Sequence, residues 1–226
     1  MPEEHTIRLG RRASLLMAGA AASAPLLPIQ AQETRRRVEF GGMKLAAAPP
    51  GFKVGRTGEG KPARWVVIAD LAAPDKHRFL AEVNRDPVED RYPHAVLDGV
   101  TLVNGIVATR FRPVDGRMDQ AGGVVFRYRD VRNYYVARAN ALEKNVRIYR
   151  VVAGVRELFG GAPAPVPRGR WQVLSVRFEG DRFQVSLDSK MLITAKDKAI
   201  SGAGQAGVWS KSDSLTWFDW LEVESA

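Results

Sequence analysis

Cysteine is absent from all 226 residues, and histidine occurs only three times. Without a thiol the chain can form no disulfide, zinc finger or iron–sulfur centre, and it carries no cysteine nucleophile. His5 falls in the leader described below, which leaves His77 and His94, seventeen positions apart, in the body. Two scattered imidazoles argue against a His-based catalytic metal site. Outside the leader no window carries the period of an amphipathic helix. Phosphate-loop chemistry is also missing, because Gly55–Gly60 has no following helix and no Lys-Ser/Thr pair. Ser210, Ser212 and Ser214 lack a nearby histidine and any nucleophile-elbow context.

Charge is plentiful and mostly positive. The formal net charge is +9, and +8 once residues 1–31 are set aside. The arginines are spread along strand-like segments and not gathered in a recognition helix or lysine-rich arm. That spread argues against nucleic acid and for anionic surfaces or ligands generally.

Residues 1–31 read as an export signal. Arg11-Arg12 precedes an alanine-rich apolar run, Ala13–Leu27, and then Pro28-Ile29-Gln30-Ala31. The arginine pair followed by Ser14-Leu15-Leu16 resembles a twin-arginine signal, so the expected partner of the leader is the twin-arginine export machinery. The run is too short and alanine-rich for a comfortable membrane span. A periplasmic or secreted location, with no span in the mature form, is the expectation.

Residues 32–61, polar or rich in Ala, Gly and Pro and including Arg35-Arg36-Arg37, fit no period and are expected to be a linker and entry loop. From there, residues 62–226 read as one domain of short strands. Arg64–Leu71, Arg78–Asn84, His94–Leu97 and Gly105–Arg112 come first, then the central stretch Gly122–Arg150. Trp171–Phe178, Arg182–Leu187, Met191–Ala195, Gln205–Ser210 and Leu215–Val223 follow. Glu179-Gly180-Asp181 and Asp188-Ser189-Lys190 join alternating apolar runs as hairpin turns. The fold class is therefore all-β, a sandwich of two antiparallel sheets.

In the central stretch the period of two sorts side chains onto opposite faces. Val124, Phe126 and Tyr128 should share one face, with Val125, Arg127 and Arg129 on the other. Tyr135, Ala137 and Ala139 oppose Tyr134, Val136, Arg138 and Asn140, and Val146 and Ile148 oppose Arg147, Tyr149 and Val151. Arg127, Arg138, Asn140 and Arg147 would then stand beside the rings of Tyr134 and Tyr149 on an outward face, with Glu143 as a further polar contact if that face binds a ligand. Rings that stack on a pyranose and planar donors that bond its hydroxyls suit a sugar. Cross-strand Arg–Tyr stacking on a solvated sheet would need no ligand.

Asp119-Gln120-Ala121-Gly122-Gly123, Asp130 with Asn133-Tyr134-Tyr135, Arg138-Ala139-Asn140, Gly169-Arg170-Trp171, Asp188, Gly204–Trp209 and Phe218-Asp219 carry a family resemblance. The chain resembles the concanavalin A-like lectin/glucanase superfamily over about residues 63–224. Within it, the likeness is to bacterial exported laminin-G-like and family 16 glycoside hydrolase-like (3-keto-disaccharide hydrolase-like) modules. The resemblance implies a jelly-roll sandwich whose central strands line a concave glycan-binding face. It also implies that Asp219 stands where some relatives supply an oxygen to a structural calcium ion, although such a site needs six or more oxygens.

The chain departs from that family at the chemistry. A retaining glycosidase needs two carboxyl groups about 5–5.5 Å apart, and no Glu-x-Asp-x-Glu or Glu-x-Asp-x-x-Glu is present. Recognition without turnover is the leading expectation, with Trp209, beside Lys211, as a further sugar platform. A glycoside-processing enzyme using Glu143 with Asp130 or Asp119 is a second reading. A laminin-G-like domain docking an acidic partner is a third, and would bind less tightly as salt is added.

Overall fold

A computed structural model describes Met1, residues 35–71 and residues 77–226, so the leader read from residues 1–31 lies outside the described residues. Turns at glycine and aspartate break the alternating runs into fifteen strands among the described residues. The larger sheet holds β1 (Arg35–Glu39), β3 (Trp65–Ala69), β4 (Arg78–Glu82), β6 (Gly105–Asp115), β11 (Gln172–Glu179), β12 (Arg182–Leu187), β13 (Lys190–Lys196) and β15 (Leu215–Ser225). The smaller holds β2 (Phe52–Gly58), β5 (Arg91–Leu97), β7 (Ala121–Asp130), β8 (Asn133–Asn140), β9 (Asn145–Val152), β10 (Val155–Pro163) and β14 (Gln205–Ser210). Every pairing is antiparallel, in the orders β13-β12-β11-β6-β15-β4-β3, with β1 beside β15, and β10-β9-β8-β7-β14-β5-β2. The all-β sandwich expected from the alternation is the observed fold. Among the described residues no helix is long and apolar enough to cross a membrane.

Three strands lie where no strand was expected. The stretch assigned to a linker and entry loop contains β1, paired with β15, and β2, paired with β5. The arginines of β1 are held by the acids of β15: Arg35 Nη2 donates to both Glu222 oxygens at 2.8 Å, and the Arg37 guanidinium lies 3.9 Å over Trp220. A charge run there is a paired strand because its partners sit on another strand, far away in sequence. β10 is an edge strand with a bulge between Leu158 and Gly160, and its glycines hide the period.

The core lies between the sheets. Val107, Phe111, Val176, Phe178, Phe218 and Leu221 of the larger sheet meet Val124, Phe126, Tyr135, Ala137, Ile148 and Val208 of the smaller. One ion pair crosses between the sheets inside the protein. Arg91 at the start of β5 and Glu82 at the end of β4 are both buried and bond through two contacts, Nη2–Oε1 at 3.0 Å and Nη1–Oε2 at 3.1 Å. Arg91 also donates to the carbonyls of Lys61 and Ser212, and Glu82 accepts from the backbone N–H groups of Arg64 and Asn84. With these hydrogen bonds each charge is compensated.

Removing one partner would leave the other buried and unpaired. Glu82→Ala is therefore expected to lower unfolding stability by about 3–5 kcal/mol. Arg35→Ala, at a solvated pair, should leave the urea midpoint almost unmoved. Urea unfolding followed by tryptophan fluorescence measures both.

Candidate functional site

The smaller sheet is strongly curved. The Tyr134 hydroxyl on β8 lies 2.8 Å from Thr57 Oγ1 on β2, although β7, β14 and β5 stand between them in the sheet. Adjacent strands are about 4.8 Å apart, so a flat sheet would hold β8 and β2 about 19 Å apart. The Arg156 guanidinium on β10 likewise reaches across to Tyr92 on β5, 4.3 Å from its ring and 4.5 Å from that of Tyr149. The face away from the main core is concave.

One end of this face is closed and apolar. Tyr92, Val96, Val125, Tyr134, Val136, Val151 and Trp209 pack there as a second cluster, with Tyr128 against it. His94 is fully buried among them, with Nδ1 3.2 Å from the Tyr92 carbonyl and Nε2 3.1 Å from the Tyr128 hydroxyl. A neutral ring satisfies both, Nδ1–H donating to the carbonyl and Nε2 accepting from the hydroxyl. Burial drives the His94 pKa down to about 4, against the weaker opposing effect of the Tyr92 carbonyl. Burial also pushes the Tyr134 hydroxyl up to about 12.

The other end is polar and reaches solvent. Asn140, the last residue of β8, turns its Oδ1 to the N–H groups of Leu142 and Glu143, fixing the hairpin into β9. Its Nδ2 donates to Asp119 Oδ1 at 2.7 Å and to Glu143 Oε1 at 3.1 Å. Glu143 Oε2 accepts from Arg138 at 2.8 Å, Arg147 at 3.0 Å and Asn145 at 3.2 Å. Arg138 also reaches the Tyr149 hydroxyl at 3.1 Å and keeps a buried Nε without an acceptor. Gly123 faces it across the strand pair, where a Cβ would stand 2.9 Å from the Arg138 Cβ. A cavity of about 410 Å³ opens here, walled by Glu143, Asn145, Arg147, Leu158 and Gly161.

Asp119 is placed by a second clasp. The Asp213 carboxylate accepts from the N–H groups of Arg117, Met118 and Asp119 at 2.8, 3.1 and 3.0 Å, and Lys211 Nζ meets Asp119 Oδ2 at 2.8 Å. Burial raises the pKa of Asp119, partly offset by Lys211. Burial also pushes Glu143 up, but Arg138, Asn145 and Arg147 outweigh it and hold that carboxyl below its ordinary value. Because both acids accept from the one Asn140 Nδ2, the bonded oxygens lie within about 6 Å of each other, close to the ~5–5.5 Å between carboxyl groups in retaining glycosidases. Asp119 is nonetheless only 2% exposed, with one oxygen on Asn140 and the other on Lys211. It has no free path to a glycosidic oxygen.

The predicted site residues divide accordingly. Arg138, Asn140, Glu143, Arg147 and Tyr149 come together as expected, but Arg138, Asn140 and Tyr149 are buried, where an outward solvated face was expected. Tyr134 and Trp209 are on the same face but fully buried; Trp209 is stacked beneath Tyr92 at 5.8 Å and is no open sugar platform. Arg127 is on the wrong side. A bulge between Phe126 and Asp130, with Arg127 at φ 45°, reverses the alternation. Its guanidinium therefore lies over Phe178 and Phe183 and donates to the carbonyls of Val103, Gly180 and Ile200. The same bulge moves Tyr128 to the concave side. Asp130 caps the opposite end of β8, bonding Asn133 and the Arg132 N–H, and is not a partner of Glu143. Asn145, Arg156 and Tyr92 went unrecognised, at the start of a strand, on an edge strand and beside a proline, and Lys211 was noted only as a neighbour of Trp209.

Asp219 lies outside this face, and both its carboxylate oxygens are engaged. Its oxygens accept from His77 Nε2 and Arg110 Nη1, both at 2.8 Å. Among the described residues no group of three or more His, Asp or Glu side chains could hold a metal. The guanidinium of Arg110 and the ring N–H of His77 already occupy the carboxylate oxygens that a divalent cation would need.

No family model matches the chain. A 98-residue stretch, 42% of the chain, is 32% identical to the levanase of Bacillus subtilis (strain 168) and spans 14% of that protein. Among solved structures, the carbohydrate-binding module CBM66 from Bacillus subtilis matches with a TM-score of 0.60 and 19% identity, over 75% of this chain and 92% of that one. The apo Crh5 transglycosylase matches at 0.55 and 10%, over 85% and 84%. The fold is thus a jelly-roll sandwich of the type found in carbohydrate-binding and glycoside-processing proteins. That architecture hosts many functions, so the fold by itself assigns none.

His94 makes this face sensitive to acid. Its folded pKa lies below the unfolded value of ~6.5, so between about pH 6.5 and about pH 4 the unfolded chain binds a proton that the folded chain refuses. Stability should fall across that window by up to roughly 3 kcal/mol. Urea unfolding at pH 7, 5.5 and 4.5 should show the slope, and His94→Phe should make it shallower.

Proposed function

We propose that this protein is a carbohydrate-recognition module acting outside the cytoplasm, binding a glycan end at the polar end of the concave face without cleaving it. The observation that carries this reading is the cavity bordered by Glu143, Asn145 and Arg147, beside a pre-bonded network of Arg138, Asn140 and Tyr149. Donors and acceptors held in fixed geometry by one another lose little entropy when hydroxyl groups arrive. Leu158 supplies an apolar wall. Arg147 is the residue to test first, because 38% of its side chain is exposed and it does not carry the fold, unlike buried Arg138.

The levanase likeness supports a fructan as the first probe, and the CBM66 likeness supports binding as the activity. The Arg11-Arg12 leader pattern supports a periplasmic or secreted location. Turnover is the weaker alternative: the Asp119–Glu143 proximity favours it, but the burial of Asp119 and the four donors on Glu143 oppose it. Affinity electrophoresis through gels containing levan, and a panel of neutral polysaccharides, tests the reading. Retardation in at least one gel is expected, with Arg147→Ala weakening it at least about tenfold, the loss of roughly 1.4 kcal/mol or more. Its melting temperature should stay at that of the unaltered chain.

Hydrolysis is tested separately. No reducing sugar should be released from the retained polysaccharide by the unaltered protein. Release that vanishes in Glu143→Gln would establish the enzyme reading instead.

A further inference from the structure

The face of the larger sheet that points away from the core carries a feature the glycan site does not use. Along β6, Arg110 and Arg112 alternate with buried Phe111, and along β15, Trp217 and Asp219 flank buried Phe218. The period of two therefore places both arginines and Trp217 on the outer side. Phe79 of β4 and Trp171, just before β11, complete the group. Phe79 stacks on Trp217 at 5.1 Å and meets Trp171 at 4.9 Å. Arg110 lies 5.0 Å over Trp171, and Arg112 lies 5.0 Å over Trp217 and 6.0 Å over Trp171. A cavity of about 270 Å³ opens among Asp70, His77, Arg110, Arg112, Trp171 and Asp219.

We infer that this cavity is a second ligand site, taking a carboxylate-bearing sugar unit such as a uronic acid. The acids already present are engaged: Asp219 by Arg110 and His77, and Asp70 by Arg112 at a long 3.6 Å. What remains unsatisfied is all of one kind. Arg110 and Arg112 each place one nitrogen on an acid, and their side chains, 43% and 29% exposed, keep further N–H donors at the cavity. A ligand suited to them brings acceptors and negative charge. The guanidinium fork of Arg112, held between two indoles, matches the planar two-oxygen geometry of a carboxylate. The half-buried ring of Trp171, which lines the cavity, suits the apolar side of a pyranose ring. A neutral sugar would bring no negative charge to Arg110 and Arg112, and a simple carboxylate would leave the Trp171 ring uncovered. Together they select a sugar that carries its acid on the ring.

This site lies across the core from the concave face, so the two bind independently. Isothermal titration of the full chain with a galacturonic acid trisaccharide is the test. Binding is expected, at least about tenfold weaker in Arg112→Ala and in Trp171→Ala, and also weakened in Arg112→Lys, which keeps the charge but loses the fork. Arg147→Ala should leave this binding intact, whereas Arg112→Ala should leave any polysaccharide bound by the concave face undisturbed. The outcomes on the two faces are thus separable, and this site stands even if no glycan binds the other. Absence of trisaccharide binding, equal binding by Arg112→Ala and Arg112→Lys variants that melt like the unaltered chain, or equal affinity for a sulfated neutral oligosaccharide of the same length would overturn the assignment.

Discussion

The buried pair of Arg91 and Glu82 is the constraint on which the geometry of both faces depends. Both side chains are essentially excluded from water, and the pair joins β5 of one sheet to β4 of the other. Two charges in such a place are tolerated only with matched geometry and every remaining donor and acceptor filled. Here the backbone fills them, at Lys61, Arg64, Asn84 and Ser212. A slip of either strand would leave an unpaired charge inside the protein, so the pair fixes one register of sheet on sheet more sharply than oil-like contacts could. The bond to Ser212 carries that order onward. Ser212 belongs to the same turn as Lys211 and Asp213, and those two residues set the position of Asp119 at the concave site.

The concave face is thereby built in two halves of opposite character. Curvature of the smaller sheet brings β2 against β8 and encloses aromatic rings, a neutral histidine and tyrosines whose hydroxyls resist ionisation. At the far end the same strands present a network in which Arg138, Asn140, Glu143, Arg147 and Tyr149 are already bonded to one another, with Arg138 Nε left over. Such a network is rigid before any ligand arrives. It holds two carboxylates near one another yet ties one of them to a lysine in the interior. The arrangement favours hydrogen bonding to hydroxyl groups over proton transfer to a leaving oxygen.

Much of this was legible in the sequence, because burial on one face imposes a period of two that no other structure shares. The strands from Gly105 to Arg150 and from Trp171 to Val223, and the placing of Arg138, Asn140, Arg147 and Tyr149 on one face, followed from alternation, while Glu143 lies in the turn beyond it. What escaped did so for physical reasons. β1 and β10 are poorly buried strands whose partners are remote or whose glycines erase the pattern. Arg127 was placed on the wrong face because one residue with positive φ reverses all alternation beyond it. Gly204 permits that bulge by passing against the Arg127 backbone where a side chain would collide. Trp209 was misjudged since curvature, which decides whether a ring on a sheet is open or covered, leaves no periodic trace.

The central claim is that recognition occurs at the polar end of the concave face. Nuclear magnetic resonance mapping tests it most directly, by titrating labelled protein with oligosaccharides from whichever polysaccharide retards it. Shifts are predicted at the backbone amides of Glu143, Asn145 and Arg147 and the side-chain signals of Asn140 and Arg138, with the Trp217 indole unmoved. Shifts confined to the outer face of the larger sheet, or spread evenly with no cluster around Asn140, would contradict the account.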